Sequence, residues 1–258
     1  TYIAAYRSLI KDIRQKPPRA AILLDMPDFN IFLAGRIRRF CPQTKIIYYI
    51  SPQVWAWRPG RVKKIARRFD AMLVLFDFEE DIYKKAGMDA EFVGHPLRDT
   101  VNASAPAGEL RREFGAKDGE HVIALLPGSR TAELQRYLPV MAKAAASLSK
   151  KRADVRFLLA KAPGLDDDMV RSLLSPAASL VRVEGGRTYD VLEAADLAVV
   201  ASGTATLETA VLEVPMVVLG AVSRLSYEIT IRMVKIDRYS LPNVIAKKDV
   251  VPELVQNE

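Results

Sequence analysis

Ser202-Gly203-Thr204 stands directly after the apolar run 197–200, and the carboxylate of Glu208 follows about one helical turn later. The pattern predicts a buried strand that turns through Gly203 into a helix start. Unpaired backbone N–H groups there attract an anion such as phosphate. Gly203 lets the backbone approach the anion, Thr204 can cap the helix, and Glu208 can accept hydrogen bonds from ribose hydroxyls. An ordinary capped strand-to-helix turn is the alternative.

A second turn of this kind carries an arginine, in Pro127-Gly128-Ser129-Arg130. The apolar run 122–126 predicts the strand before it, and apolar residues spaced by three or four predict the helix after it. These residues are Leu134, Leu138, Met141, Ala142, Ala145 and Leu148. Arg130 at the mouth of the turn can bind phosphate oxygens through two N–H groups, although a solvated arginine at a helix start is the alternative. Gly128 and Ser129 beside it predict a second anion site.

One carboxylate in the first hundred residues is a candidate general base. Asp25 comes directly after the apolar run 20–24. Because this run predicts a buried strand, we expect the Asp25 carboxylate to be partly desolvated, which suits a group that takes a proton. The alternative is that Asp25 or Asp28 caps a helix that begins near Asn30.

Short apolar segments alternate with helical patterns along the whole chain. Strands are predicted at 20–25, 45–50, 71–75, 91–93, 122–126, 155–160, 180–183, 197–200 and 216–219. Such strands between helices predict parallel sheets covered on both faces. Residues 100–108, rich in small and turn-forming types, predict a linker. We therefore predict two Rossmann-like, doubly wound α/β domains, 1–100 and 109–258, joined by 101–108. A ligand cleft would lie at the carboxyl ends of their strands.

Composition excludes several classes of protein. Half of the 258 residues are hydrophobic, yet no run approaches the roughly 18 to 20 apolar residues of a membrane span, and no signal peptide is recognisable. A single cysteine, Cys41, excludes an internal disulfide and fits a reducing cytosol. Two histidines, His95 and His121, with that single cysteine disfavour a zinc site. We expect no metal and no cofactor. A first residue other than Met, and an end straight after a helical pattern, suggest a piece of a longer protein.

The net charge of +7 favours anionic partners. Six basic residues follow closely on Trp55 and Trp57; they are Arg58, Arg61, Lys63, Lys64, Arg67 and Arg68. Basic residues beside aromatic ones suit a membrane interface, although a solvated helix face beside two core tryptophans is the alternative. A nucleic-acid partner is not expected, because no recognised binding motif accompanies the charge.

Six motifs in order resemble those of one enzyme family. They are D-M-P-D-F-N at 25–30, S-P-Q-V-W-A-W at 51–57, F-V-G-H-P at 92–96, L-P-G-S-R at 126–130, A-S-G-T-A-T-L-E at 201–208 and S-L-P-N at 240–243. The set is similar to lipid-A-disaccharide synthase and spans nearly the whole chain. The resemblance implies a GT-B glycosyltransferase fold with two domains facing across a cleft. It also implies that the first domain is truncated at its N-terminus and that the extreme C-terminal segment is missing.

This family joins UDP-2,3-diacylglucosamine to 2,3-diacylglucosamine 1-phosphate, also called lipid X, in lipid A biosynthesis of Gram-negative bacteria. The reaction inverts the anomeric centre and releases UDP and a β-1,6-linked disaccharide phosphate. The resemblance implies that Asp25 is the base and that Glu208 binds the ribose. The residues implied to hold the donor are Arg130, Ser202, Gly203, Thr204, Asn243 and Gln256. Further candidates near the cleft are Gly128, Ser129, His95 and Ser51.

The resemblance also implies a setting and leaves alternatives open. It implies a cytoplasmic protein that is peripheral on the inner membrane and can form a homodimer. It also implies that Arg130 and a helix start bind the diphosphate in place of a metal ion. This piece alone is expected to lack part of the acceptor side. Another UDP-sugar enzyme, such as a UDP-N-acetylglucosamine 2-epimerase, and a non-catalytic UDP-sugar-binding module remain alternatives. A dinucleotide oxidoreductase is disfavoured, because no G-x-G-x-x-G follows a predicted strand.

Overall fold

A computed structural model of the chain describes residues 2–56, 58–220 and 238–255, without the side chains of Tyr2 and Pro176. The described residues form two compact units, one of residues 2–96 and one of residues 97–220 and 238–255. Each unit contains one parallel β-sheet with helices packed against it. The predicted α/β class with two parallel sheets is therefore confirmed.

The first unit contains a four-stranded parallel sheet with the strands in sequence order. Its elements are α1 (Tyr2–Gln15), β1 (Ala20–Leu24), α2 (Pro27–Phe40), β2 (Lys45–Tyr49), α3 (Arg61–Ala66), β3 (Ala71–Val74), α4 (Asp77–Lys84) and β4 (Asp89–Phe92). Alternate strand residues point into one core, where Ile46, Tyr48 and Met72 are fully buried against α2 and its neighbours.

The other face of this sheet is apolar but open along β1. Ile22 and Leu24 are 66% and 54% exposed, whereas Leu23, which points to the opposite face, is buried. The expectation that helices cover both faces is therefore wrong for this strand in the described residues. The physical reason is that α1 and α2, the two helices that flank β1 in sequence, both pack on the face of Leu23.

The second unit contains a six-stranded parallel sheet in the order β10-β9-β8-β5-β6-β7. Its elements are α5 (Leu97–Thr100), α6 (Ala107–Glu113), β5 (His121–Leu126), α7 (Thr131–Ser149), β6 (Val155–Lys161), α8 (Asp167–Leu173), β7 (Val181–Gly185), α9 (Thr188–Glu193), β8 (Leu197–Ala201), α10 (Ala205–Val211), β9 (Met216–Gly220), α11 (Leu241–Ala246) and β10 (Glu253–Val255). The central strand β5 is buried on both faces from Val122 to Leu126, because helices cover both sides.

The nine predicted strands are all present, with ends shifted by a few residues at most. The helical pattern expected before Gln256 is wrong, because Glu253–Val255 instead forms the edge strand β10 beside β9. The predicted linker region packs onto the second unit: the backbone N–H and hydroxyl of Ser104 donate to Asp190 at 2.6 and 2.9 Å. The domain limits taken from the sequence remain a proposal.

The same aspartate arrangement holds a strand in each unit. Asp70, just before β3, accepts from the N–H of Ile46 at 2.7 Å and from Arg38 at 2.8 Å. Asp196, just before β8, accepts from the N–H of Val122 at 2.8 Å and from Arg111. In each case a helix arginine and a backbone N–H of the neighbouring strand share one carboxylate oxygen. The arrangement sets where adjacent strands begin, and so where their carboxyl ends meet.

We expect Asp70→Ala to destabilise the first unit by about 2 kcal/mol, because it leaves the Ile46 N–H without its acceptor and removes the charged partner of Arg38. Burial raises the pKa of Asp70, but the Ile46 N–H and Arg38 outweigh it, and the pKa lies below its usual value. A carboxyl with a lowered folded-state pKa contributes stability above its unfolded pKa of about 3.9 and loses it in more acidic solution. Hydrogen exchange of the β2 amides at pH 7 measures the effect. Unchanged protection there would contradict the prediction.

Candidate functional site

The two glycine turns of the second unit line one cavity of about 290 Å³. Gly128, Ser129 and Arg130 follow the carboxyl end of β5, and Ser202, Gly203 and Thr204 follow the carboxyl end of the adjacent β8. Glu208 from α10 completes the wall. Because parallel strands end at the same edge of the sheet, residues about 70 positions apart in sequence meet here. The structure thus brings together seven of the residues that the sequence singled out.

Backbone geometry explains the glycine at each turn. Gly128 has φ +104°, and a Cβ at this position would lie 2.8 Å from the Cβ of Glu133. Gly203 has φ +150°, a conformation that side chains with a Cβ rarely adopt. Thr204 is the cap residue of α10, but its side chain accepts no capping hydrogen bond, so the expected capping role is wrong. The turn instead leaves Thr204 on the wall of the cavity.

Glu133 occupies the anion-binding position of the first turn in this structure. Its carboxylate accepts from the backbone N–H of Ser129 at 2.9 Å and of Arg130 at 3.2 Å, and from the Arg130 guanidinium at 2.7 Å. The sequence reasoning missed Glu133, although the spacing Arg130-x-x-Glu133 is that of a glutamate reaching back over a helix start. Arg130 itself is 79% exposed at the mouth of the cavity. Two peptide N–H groups and a guanidinium therefore converge on one negatively charged group.

Glu208 lies between this cavity and a second one of about 380 Å³. The second cavity is lined by Gly186 after β7, by Thr188 at the start of α9, and by Asn102 and Ser104. Burial raises the pKa of Glu208, while the hydroxyl of Tyr189, which donates to its Oε1 at 3.4 Å, opposes the shift. The two cavities share Thr188 and Glu208, so they are adjacent, with the Glu208 carboxylate at their boundary.

Asn243 lies in a buried network instead of on the wall of the first cavity. Its amide donates to Glu253 at 2.7 Å and to the Val251 carbonyl, and its oxygen accepts from the N–H of Val250 and Val251. Glu253 also accepts from Ser240 and the N–H of Tyr239. The Tyr239 carbonyl accepts from the Ser202 hydroxyl at 3.2 Å, which connects the network to the cavity. Gln256 lies outside the described residues.

The first unit has its own polar cavity of about 200 Å³ at the carboxyl ends of β1 and β2. Asp25, Ser51, Gln53 and Arg61 line it. Asp25, Met26 and Ile50, at these strand ends, have φ of 47°, 40° and 66°, which costs energy for residues other than glycine. Strained backbone of this kind is concentrated at functional sites.

The Asp25 backbone is fixed while its side chain is exposed. The Asp25 carbonyl accepts from Asn30 at 2.6 Å and from the Tyr48 hydroxyl at 2.9 Å, and its N–H donates to Tyr49. The expected desolvation of Asp25 is wrong for the described residues, because its side chain is exposed, as are Ile22 and Leu24 on the open face of β1. The capping alternative is also wrong: α2 begins at Pro27 behind Met26 without a side-chain cap.

A buried glutamate, Glu79, supports the loop of the S-P-Q-V-W-A-W motif. It accepts from the Ser51 hydroxyl at 2.7 Å and from the indole N–H of Trp55 at 3.2 Å. Burial raises the pKa of Glu79, and these hydrogen bonds oppose the shift. Ser51 is therefore held beside Asp25 through a carboxylate of α4 that the sequence reasoning did not identify.

His95 and the basic, aromatic surface were the remaining candidates. His95 packs against Phe76 with ring centres 5.6 Å apart, and burial lowers its pKa. On the predicted surface Lys63, Lys64 and Arg67 are exposed, whereas Arg68 donates to the Ile31 carbonyl at 2.6 Å. Trp57 lies outside the described residues.

Two features are absent from the described ranges. No helix there is long and apolar enough to cross a membrane. Those ranges also hold no group of three or more His, Cys, Asp or Glu side chains arranged for a metal ion.

Comparison with known proteins identifies the family. A sequence model described as "Lipid-A-disaccharide synthetase" matches residues 2–258. The chain belongs to this family. It is 42% identical to the lipid-A-disaccharide synthase of Geobacter sulfurreducens over 98% of its length, and 46% identical to that of Syntrophus aciditrophicus over 96%. The chain spans 66% and 64% of these two relatives.

Solved structures show the same fold at low sequence identity. The chain matches the UDP-GlcNAc 2-epimerase of Neisseria meningitidis bound to UDP-GlcNAc with a TM-score of 0.59 and 11% identity, covering 95% of this chain and 71% of that one. It matches WaaG, a glycosyltransferase involved in lipopolysaccharide biosynthesis, with a TM-score of 0.54 and 12% identity, covering 98% and 68%. These likenesses confirm the predicted GT-B fold class.

Proposed function

We propose that this chain carries the donor site and the acceptor-side base of an inverting glycosyltransferase of lipid A biosynthesis. The enzyme would transfer 2,3-diacylglucosamine from UDP to the 6-hydroxyl of 2,3-diacylglucosamine 1-phosphate. The products would be UDP and a β-1,6-linked disaccharide 1-phosphate. The observation that carries the proposal is the cavity that gathers both glycine turns with Arg130 and Glu208, in a chain of this family.

The nucleotide of the donor would occupy the two adjacent cavities of the second unit. The diphosphate would replace the Glu133 carboxylate at the Ser129 and Arg130 N–H groups, next to the turn at Gly203. Glu208 would accept from the two ribose hydroxyls, as acidic residues do in other nucleotide sites. The uracil ring of UDP would then lie toward Gly186 in the second cavity, which Glu208 also lines. Asn243 and Ser202 stay in the proposal as supports at the edge of this site, and Gln256 stays as a donor-binding residue implied by the family resemblance alone.

The reaction needs one proton acceptor and one site for developing negative charge. The acceptor 6-oxygen attacks the anomeric carbon of the donor, and Asp25 takes its proton as the new bond forms. The bond from that carbon to the diphosphate oxygen breaks, and its electron pair leaves with UDP. Arg130 and the peptide N–H groups stabilise the charge on the leaving diphosphate. The proposal includes no metal ion and no cofactor.

The diacylated substrates suggest where the protein works. We propose a cytoplasmic protein, peripheral on the inner membrane, that approaches lipid through the exposed Lys63, Lys64 and Arg67 near Trp55. The net charge of +7 supports attraction to anionic lipid. A homodimer belongs to the same proposal and rests on the family resemblance alone.

The direct test is product formation by the full-length form, completed to the length of its relatives. It is incubated with UDP-2,3-diacylglucosamine and 2,3-diacylglucosamine 1-phosphate, and the disaccharide 1-phosphate is measured by mass spectrometry together with released UDP. Product with equal amounts of UDP supports the proposal. Conversion of UDP-N-acetylglucosamine to its 2-epimer would instead support the epimerase alternative. UDP binding without any turnover would support the binding-module alternative.

We expect Glu208→Gln to weaken UDP binding about 10-fold, because a carboxylate accepts hydrogen bonds from a diol more strongly than an amide does. Affinity for 2′,3′-dideoxy-UDP should change less than twofold, since the hydroxyls are absent. Because the pKa of Glu208 is raised, UDP affinity of the unaltered protein should fall on acidification at a higher pH than an exposed glutamate would cause.

Calorimetry with both ligands measures the effect of Glu208→Gln. Glu213→Gln, an exposed glutamate just after the same helix, is the matched control and should bind as the unaltered protein does. Equal losses for UDP and its dideoxy analogue would remove Glu208 from the ribose role.

A further inference from the structure

Arg61 is a partly buried cation on the wall of the cavity that contains Asp25. Its side chain is 17% exposed, and its guanidinium donates to Asp28 at 2.6 Å. Asp28 in turn is 76% exposed, on the first turn of α2. The basic residues that follow on the same short helix, Lys63 and Lys64, are exposed. Arg61 therefore differs from its basic neighbours in pointing toward the cavity.

A cation at this position does not help a general base. Positive charge near a carboxylate stabilises its ionised form and makes it a weaker proton acceptor. Partial burial of a guanidinium also costs free energy, which its partners offset. One of these partners, Asp28, is itself 76% exposed, so an anion that enters the cavity can compete with it for the guanidinium. An anionic group of the substrate accounts for the cation better than proton transfer does.

We propose that Arg61 binds the phosphate of the acceptor and so makes the enzyme specific for a phosphorylated sugar. This inference rests on the proposed function. A guanidinium carries five N–H donors, and it can hold Asp28 and a phosphate oxygen together. Asp25 and Arg61 line one cavity of about 200 Å³, which is smaller than pockets for whole drug-sized ligands. A sugar phosphate would place its hydroxyl at the carboxylate and its phosphate at the guanidinium.

Asp28 has a defined part in this arrangement. In the absence of acceptor it neutralises Arg61, and on binding the phosphate competes with it for the same guanidinium. Removing the Asp28 charge should therefore strengthen acceptor binding, whereas removing the Arg61 charge should weaken it. A purely structural ion pair would give the same result for both changes, because each breaks the same contact.

The test compares two acceptors in the full-length form, with detergent micelles free of phospholipid. One acceptor is 2,3-diacylglucosamine 1-phosphate, and the other carries a methyl group in place of the phosphate. We expect Arg61→Gln to raise the KM of the phosphorylated acceptor about 10- to 100-fold, the effect of losing a charge-assisted contact. The KM of the methyl glycoside and the Kd of UDP should change less than twofold. Arg61→Lys should give an intermediate KM for the phosphorylated acceptor, because lysine keeps the charge without the paired donors.

Two further variants separate this role from stability and surface charge. Asp28→Asn should lower the KM of the phosphorylated acceptor two- to fivefold. Arg36→Gln removes the same charge from an exposed position on α2 and should leave both KM values unchanged. If Arg61→Gln loses activity equally on both acceptors, or on neither, the inference is wrong. If Arg61→Gln changes only binding to anionic phospholipid vesicles, Arg61 contacts lipid headgroups and the inference is equally wrong.

Failure of the proposed function would look different. In that case the unaltered full-length form makes no disaccharide from either acceptor, whereas failure of this inference leaves its activity intact and removes only the discrimination by Arg61.

Discussion

Asp25→Asn in the full-length form is expected to lower kcat at least 100-fold while the Kd of UDP changes less than twofold. An amide has the shape of a carboxylate but cannot accept the proton of the acceptor hydroxyl, and general base catalysis contributes about 10²- to 10⁴-fold. The substitution should leave the fold intact, because the hydrogen bonds at this position use the Asp25 backbone: Asn30 and Tyr48 donate to its carbonyl, and its N–H donates to the Tyr49 carbonyl. Steady-state kinetics with both substrates saturating give kcat, and calorimetry gives the Kd.

A matched control is Asp89→Asn. Asp89 is an exposed aspartate of the same sheet, but it lies at the amino end of β4, whereas Asp25 follows a carboxyl end. We expect its kcat to equal that of the unaltered protein. Asp25→Asn with near-normal kcat would exclude Asp25 as the base. A loss that appears only in the KM of the acceptor would make Asp25 a binding residue.

The positions of strands could be predicted because each is a short apolar run bounded by polar or turn-forming residues. The same reasoning placed Asp25, Ser51, Arg130 and Ser202 at strand ends, and parallel strands end at a common edge. Strand β10 was missed because it has only three residues, Glu253–Val255, and its stability comes from pairing with β9. Such a strand has no periodicity of its own for the sequence to show.

The partners of the site residues could not be predicted, because folding brings them from other elements. Glu79 reaches Ser51 from 28 positions away, and Asp28 reaches Arg61 from 33. The role of Glu253 could not be predicted for the same reason, because its carboxylate oxygens accept hydrogen bonds only once folding brings Ser240 and Asn243 beside it. The exposure of Asp25 was misjudged because an apolar run predicts a strand but does not say whether helices cover both of its faces.

Arg130→Ala is expected to lower kcat/KM by about 10²- to 10³-fold, the usual effect of removing one donor that stabilises charge developing in a transition state. Most of the loss should appear in kcat, because the diphosphate gains charge as it leaves. Arg130→Lys should recover part of the activity, since lysine supplies charge without two parallel N–H donors. Arg136→Ala is the control: Arg136 is an exposed arginine further along α7 and does not line the cavity.

A Glu133 variant is expected to have the opposite effect, which is tighter binding of UDP. It lies on the same N–H groups and guanidinium that the diphosphate is proposed to use, so it must move when the donor binds. Glu133→Gln removes a competing negative charge and should lower the Kd of UDP about fivefold, a change of roughly 1 kcal/mol. In the Arg130→Ala background the gain should be smaller, because part of what Glu133 competes for is already absent. Calorimetry on the unaltered protein, the two single variants and the double variant measures the coupling between Arg130 and Glu133. Equal gains in UDP affinity in both backgrounds would mean that the carboxylate blocks only the backbone N–H groups. A weaker UDP affinity of Glu133→Gln would mean that Glu133 supports the turn without competing with the diphosphate.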